Sequence, residues 1–342
     1  KRLNIEIIKP SINKCFAEFK AEKNKILYGL GAIKSVGFEA ISNVIKEREK
    51  NGEFESINDF INRTDPRDVN KLQLEGLVKA GAFDEIDNNR KKLFSSIPKI
   101  IQIIKNQHDD KLNNQTNLFE NSKILDQDIF ENKDNDFWPK KDLLKEEFLS
   151  LGFYISDHPL NEYTDIFNQL NIKSYKEFIS TDLNECLVAG TIMSIQEKKS
   201  SKGTPFAIVK FSDNSSEFEL FLFSEILINN RDSLKESSSF VLTLIKERPN
   251  PDNGARRVNV RKILSLEEIV NKPYEKISIE LNQNYNIKEL YNTLKEEGKT
   301  EINIIIRDKN KNYAFKLEKR RKFNLSLFND IKSKEYVKKI SF

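Results

Sequence analysis

The apolar residues between positions 20 and 83 recur with helical spacing that glycines interrupt. Two sets of apolar residues each fall on one helical face: Ile41, Val44 and Ile45, then Leu74, Leu77 and Val78. Ser56 and Asp59 have the spacing of a capping box. Gly52 and Gly81 follow helical runs, where C-terminal caps are expected. The pattern predicts short helices joined by hairpins.

Strand-like alternation replaces this spacing after residue 186. It predicts a helix over residues 224–230 and five strands, at 187–198, 204–212, 216–223, 240–248 and 256–264. This order of elements is typical of an OB-type barrel. Alternation at Ile277, Ile279 and Leu281, a predicted helix over 287–297, and renewed alternation at Ile302, Ile304 and Ile306 indicate a small C-terminal α/β module.

Between these halves, residues 105–136 are dominated by Asn, Asp, Lys, Gln and Glu, with too few apolar residues for a core. We therefore expect a linker, followed by a helix over 143–153. The predicted fold class is multidomain α+β. Its segments are a preceding region (1–19), a helical hairpin domain (20–104), the linker (105–136), a helical connector (137–183), the five-stranded barrel (184–270) and the C-terminal module (271–342).

Composition changes this picture little. A chain of 342 residues can bury two or three cores. Lys and Arg exceed Asp and Glu by 57 to 53, and this net charge of +4 is too weak to indicate nucleic-acid binding without local motifs. The only methionine is Met193, which suggests a fragment or a processed chain. Neither an apolar run of 18 residues nor a signal-like start is present, so we expect a cytoplasmic, soluble protein.

Two cysteines and two histidines lie far apart, which makes a zinc site improbable. His158 could act as a catalytic base, but it stands before a proline without a nearby nucleophile or ligand set. It is interpreted as a turn or capping residue. We expect no metal site, no catalytic residue and no cofactor in this chain.

The most specific motif is the hairpin at residues 28–37 (YGLGAIKSVG), with helix-forming residues on both sides. Gly31 and Gly37 bracket it with helix–hairpin–helix spacing. Free backbone N–H groups at a helix start can bind a phosphate oxygen, and glycine allows close approach. Amides near Val36–Glu39 would serve this role. The candidate residues for binding duplex DNA are Gly31, Lys34, Ser35, Val36, Gly37 and Lys71.

Glycine pairs also occur as ordinary turns in helical bundles, and on spacing alone the two interpretations stay equally open. Three segments together resemble the alpha subunit of bacterial DNA polymerase III: residues 26–40 (ILYGLGAIKSVGFEA), 54–65 (FESINDFINRTD) and 70–84 (NKLQLEGLVKAGAFD). The resemblance implies a tandem helix–hairpin–helix domain that contacts duplex DNA, with 70–84 as its degenerate second half. Ser35 stands where many members have glycine.

The pentapeptide 115–119 (QTNLF) is similar to the sliding-clamp-binding peptide of that family. The resemblance implies that Gln115, Leu118 and Phe119 enter pockets on the clamp, the beta subunit. A disordered tether suits such an apolar anchor. Chance matches to five residues are easy to find, and the position between hairpin domain and barrel favours the clamp. Residues 149–160 (LSLGFYISDHPL) also resemble a family signature.

Basic residues gather in the predicted barrel loops, where OB folds bind single strands. The candidates are Lys198, Lys199, Lys202, Arg256 and Arg257. Solvated basic loops remain the alternative. Four phenylalanines, most of them expected in the core, could stack on bases: Phe206, Phe211, Phe221 and Phe223. The resemblance implies single-stranded template as the ligand here and the tau subunit of the clamp loader as the partner of the C-terminal module.

Polymerisation needs two Mg²⁺ ions held by carboxylates on a rigid sheet. The densest acidic groups, at 109–110 and 134–136, lie in the predicted linker and are interpreted as solvated charges. The resemblance therefore implies a DNA-directed DNA polymerase whose Mg²⁺ site lies outside this chain, and this part should be inactive alone. The alternative is a free-standing helix–hairpin–helix and OB adaptor in DNA repair.

Overall fold

The computed structural model describes residues 5–112, 136–248, 256–271, 274–282, 285–308 and 311–341. The chain forms two units, residues 1–161 and 162–342. The first unit has one apolar core, and the second has two. No helix within the described ranges is long and apolar enough to cross a membrane.

The first unit begins with three short strands, whose order in the sheet is β1-β3-β2. They are β1 (Glu6–Ile8), β2 (Lys20–Glu22) and β3 (Lys25–Leu27). The described residues after them form five α-helices: α1 (Phe38–Asn51), α2 (Ile57–Arg63), α3 (Lys71–Lys79), α4 (Arg90–Leu112) and α5 (Lys140–Leu151). Helix α4 extends eight residues into the segment that the sequence assigned to the linker, because Ile100 and Ile104 anchor it to the core.

The helix boundaries follow the signals in the sequence. Ser56 accepts a hydrogen bond from the Asp59 amide at 3.1 Å, and Gly52 ends α1 with φ +89°. The two apolar sets predicted to face the core are buried.

Residues 5–19 pack into the same core as the helices, although the sequence analysis assigned them to a preceding region. The guanidinium of the buried Arg48 in α1 donates hydrogen bonds to the carbonyl oxygens of Ile12 and Cys15, both at 2.7 Å. Ile12 and Cys15 are themselves buried in the apolar core. This segment therefore stabilises α1 directly.

The second unit starts with two short helices and a five-stranded antiparallel sheet of order β6-β5-β4-β7-β8. The helices are α6 (Thr164–Gln169) and α7 (Tyr175–Ser180). The strands are β4 (Glu185–Lys199), β5 (Pro205–Ser212), β6 (Glu217–Leu222), β7 (Ser239–Lys246) and β8 (Val258–Ser265), with helix α8 (Ser224–Asn230) after β6. The five predicted strands and the intervening helix are confirmed. The closed barrel is not confirmed, because no ladder joins the described residues of β6 and β8.

Helix α9 (Leu266–Asn271) leads to the last sheet, of order β11-β10-β9-β12. The elements are β9 (Lys276–Leu281), α10 (Ile287–Thr293), β10 (Glu297–Asp308), β11 (Lys311–Lys316), α11 (Leu325–Lys332) and β12 (Val337–Ser341). Ile302, Ile304 and Ile306 are buried as predicted. The helix predicted over 287–297 is shorter, because the chain joins strand β10 from Glu297 onward.

Candidate nucleic-acid interface

The hairpin at 28–37 alternates between anchoring and exposed residues. Tyr28, Leu30, Ile33 and Val36 are buried in the core of the first unit, while the segment Lys34–Ser35 and the cap of α1 face solvent. The sequence predicted helix on both sides. The chain instead enters through β3 and one 3-10 turn, Leu30–Ala32, and only α1 follows as a helix.

Gly31 serves contacts inside the protein. Its N–H donates to the carbonyl oxygen of Ala17 at 3.0 Å. A Cβ at Gly31 would lie 2.8 Å from Cδ2 of Phe38 and 3.0 Å from that same carbonyl. The glycine therefore admits the Phe38 ring, and its amide is already bonded to protein.

Ser35 adopts the left-handed conformation with φ +67°, which favours glycine. This explains physically why glycine suits the position. The backbone is fixed on both sides of Ser35. Lys34 N–H donates to the Ser150 carbonyl at 3.0 Å, and Val36 N–H donates to the Ile33 carbonyl at 3.1 Å. The exposed Lys34 side chain thus projects from a rigid turn.

The first turn of α1 offers backbone donors. Gly37 caps the helix with extended backbone and supplies no side-chain cap, so the amides of the next residues have no intrahelical acceptor. The partial positive charge of a helix start favours an anion there. Glu39 opposes this effect because its exposed carboxylate lies in the same turn.

The first turn of α3 differs from that of α1 because side chains bond to some of its backbone donors. Asn70 and Gln73 form a reciprocal capping box, with N···O distances of 3.0 and 2.9 Å, that satisfies two of the amides. Lys71 is exposed next to this cap and lies 3.9 Å from Glu75, too far for a strong ion pair. The sequence analysis missed the capping box, although Asn-x-x-Gln before an apolar run could have revealed it.

The second hairpin, around Gly81, is filled by the protein itself. Gly81 has φ +79°, and a Cβ there would lie 2.1 Å from Nη2 of Arg90. The buried Arg90 guanidinium forms a bidentate pair with Asp84 at 2.8 and 2.6 Å and donates to the Lys79 carbonyl at 3.0 Å. An internal arginine therefore occupies the face that a ligand would need.

The five basic candidates of the second unit lie at two places on the sheet. The first is the β4–β5 hairpin, whose exposed lysines are Lys198, Lys199 and Lys202. The second lies just before β8, where Arg256 and Arg257 are exposed and the Arg257 carbonyl accepts from the Glu247 amide at 2.8 Å.

The aromatic residues divide between core and surface. Phe211 is fully buried, but Phe206 is only half-buried, and Phe221 and Phe223 remain 46% and 54% exposed. The expectation that most of the four lie in the core is wrong, because alternation along β5 and β6 turns Phe206 and Phe221 outward. Their ring centroids are 6.3 Å apart at 28°. Lys198 pairs with Phe206 across the ladder.

Two further candidates differ in outcome. The clamp-peptide residues Gln115, Leu118 and Phe119 lie outside the described residues. His158 accepts a hydrogen bond at Nδ1 from the Leu160 amide at 3.2 Å, and its ring meets Tyr154 edge-on at 5.4 Å. This hydrogen bond agrees with its interpretation as a turn or capping residue.

Comparisons with known proteins agree with this geometry. A family model described as a helix–hairpin–helix motif matches residues 4–93. The DNA polymerase III subunit alpha of Rickettsia prowazekii is 33% identical over 73% of the chain, and that of Borreliella burgdorferi is 30% identical over 86%. The Buchnera aphidicola subunit is 29% identical over 97%. The matches cover only 21%, 26% and 29% of these relatives.

The first unit therefore contains a helix–hairpin–helix motif, over residues 4–93. The chain belongs to the family of bacterial DNA polymerase III alpha subunits, and it spans about a fifth to three tenths of the length of the relatives it matches.

Proposed function

We propose that this chain is the C-terminal, DNA-binding and partner-binding part of a replicative DNA polymerase alpha subunit. Polymerisation, with its Mg²⁺ ions, would belong to the rest of that subunit. The observation that carries the proposal is the exposed turn Lys34–Ser35 in front of the open first turn of α1, inside the segment that matches the helix–hairpin–helix model. This turn would hold phosphates of duplex DNA without reading sequence.

Replacing Lys34 by alanine should weaken duplex binding similarly for unrelated sequences and lower the slope of log K against log salt by about 1. Fluorescence anisotropy with two unrelated duplexes at several salt concentrations measures both quantities. Lys50→Ala, at the other end of α1, is the matched control and should leave the slope unchanged. A loss confined to one sequence would contradict a phosphate contact.

For the linker, we propose that Gln115, Leu118 and Phe119 bind the sliding clamp. The triple alanine variant should lose at least tenfold in clamp affinity, because these side chains would be the buried anchors of the interface. Surface plasmon resonance on immobilised clamp provides the measurement. The double variant Thr116→Ala/Asn117→Ala serves as control, and equal binding by the triple variant and the parent would refute the assignment.

In the second unit, we propose an OB-type domain that binds single-stranded template. Its support is the strand order with α8 after the third strand, and the approach of β6 and β8 to within 8 Å between Cα atoms. The half-buried Phe206 ring and the exposed Phe221 ring, with Lys198 paired to Phe206 across the ladder, resemble a stacking platform. The sugar–phosphate backbone of the bound DNA would contact four basic loop residues: Lys199, Lys202, Arg256 and Arg257.

Replacing Phe221 by alanine should lower affinity for oligo-dT by about 1–3 kcal/mol, the typical contribution of one stacked base. A titration of labelled oligo-dT measures the loss. Ile228→Ala removes an apolar side chain from α8 that is even more exposed than Phe221 and should have no effect. If the Phe221 variant kept full affinity for oligo-dT, the proposal that this ring stacks on bases would be wrong.

The C-terminal module, residues 271–342, would bind the tau subunit of the clamp loader. Position within the family supports this assignment, and no contact residue is proposed. The alternative of a free-standing repair adaptor is less favoured, since the matched relatives are all named as polymerase subunits.

A further inference from the structure

Two large apolar side chains are exposed at the starts of α1 and α3. Phe38 is the first residue of α1 and is 49% exposed, and Leu72 is the second residue of α3 and is 62% exposed. Single exposed apolar residues are common on protein surfaces. These two differ from scattered ones because each is close in sequence to an exposed lysine of the candidate interface: Lys34 is four residues before Phe38, and Lys71 directly precedes Leu72.

The two helix starts lie side by side. A Cβ at Gly37 would lie 3.2 Å from Nε2 of Gln73, and a Cβ at Gly76 would lie 2.6 Å from the Lys34 carbonyl oxygen. Phe38 directly follows Gly37, and Leu72 directly precedes Gln73. The helix starts that carry the two apolar side chains and the two lysines are therefore neighbours in the fold.

The Phe38 ring is held firmly on its protein side. Its Cδ2 occupies the space that a side chain at position 31 would fill, and the Gly31 backbone there is bonded to Ala17. The ring is therefore already fixed while half of it faces solvent. A ligand contact with it would cost less side-chain entropy on binding.

The combination of cations and apolar groups defines the chemistry of the ligand. A nucleic-acid backbone alternates phosphates with sugars, whose C–H edges are apolar. We propose that Phe38 and Leu72 pack against deoxyribose rings of the duplex whose phosphates Lys34 and the α1 amides hold. This inference rests on the proposed duplex-binding function and adds to it a contribution to affinity that does not depend on salt.

The test compares a polar and a conservative replacement. Phe38→Ser/Leu72→Ser should weaken duplex binding about tenfold with an unchanged salt slope, because apolar contact is lost and no phosphate contact is. Phe38→Leu should retain most of the affinity. Leu149→Ser, which alters an exposed leucine on α5, is the control for nonspecific effects.

The outcomes separate this inference from the proposed function. If the parent protein does not bind duplex DNA, the proposed function fails and the inference with it. If the parent binds and Lys34→Ala lowers the slope while the double serine variant binds like the parent, only the sugar contact is overturned. A reduced slope in the double serine variant would also overturn it, since that would indicate a shifted phosphate contact. Unchanged thermal unfolding of the variant confirms that the comparison is made on folded protein.

Discussion

Replacing Glu147 by alanine should lower the free energy of unfolding of the first unit by about 3–5 kcal/mol. The carboxylate, on α5, is fully buried. One oxygen accepts from the amides of Ile155 and Ser156 at 2.9 Å, and the other accepts from the Ser156 hydroxyl at 2.5 Å and lies 3.7 Å from Arg90. Its removal takes away the acceptor of two partly buried amides and removes a negative charge that faces the buried Arg90 guanidinium.

Urea denaturation followed by the fluorescence of Trp138 measures this effect. Trp138 is the only tryptophan of the chain and packs against Phe94 of α4 at 5.6 Å, so its signal reports on the first unit. Lys145→Ala, an exposed change on the same helix, should stay within about 0.5 kcal/mol of the parent. A loss below 1 kcal/mol for the Glu147 variant would mean that water replaces the carboxylate without cost.

Replacing Gly76 by alanine should destabilise the first unit by about 1–3 kcal/mol, although the same change in an exposed helix stabilises by about 0.5–1 kcal/mol. The sign reverses because a Cβ at this position of α3 would lie 2.6 Å from the carbonyl oxygen of Lys34. That oxygen is a backbone atom, and the N–H of the same residue donates to the Ser150 carbonyl, which limits how far the turn can shift. The hairpin must therefore move away from α3.

The same denaturation experiment tests this prediction, with Gly37→Ala as the matched control. At Gly37 a Cβ would meet only the end of the Gln73 side chain, at 3.2 Å, so the loss should stay within about 1 kcal/mol. The displaced hairpin in the Gly76 variant should also bind duplex DNA more weakly. Stabilisation by alanine at position 76 would show that the hairpin accommodates a methyl group freely.

Signals that act over a few residues predicted the regular elements well. The period-two pattern located β4 to β8, and the Ser56 and Gly52 signals located the ends of helices, because capping depends only on near neighbours. Alternation likewise identified Ile302, Ile304 and Ile306 as core. These properties depend on residues that are close together in the sequence.

Contacts between distant segments could not be predicted in this way. The strands β1 to β3 have three residues each, too few for a period to be visible, and they form through pairing with one another. The filling of the second hairpin by Arg90 and the use of Gly31 for the Phe38 ring depend on three-dimensional packing. Sequence spacing therefore located the candidate hairpin but could not show which of its glycines faces a ligand.

The burial of the Cys15 thiol controls how fast an alkylating reagent can reach it. Cys15 is fully buried in the first unit, where its Sγ donates to the Lys9 carbonyl at 3.3 Å and burial raises the pKa of the thiol. Cys186, the other cysteine, lies in the second unit and is partly exposed. Alkylation of Cys15 must wait for the first core to open, while Cys186 is accessible sooner. The alkylation rate of Cys15 therefore reports the opening of the first core, and the partly exposed Cys186 serves as the reference within the same chain, without any added label.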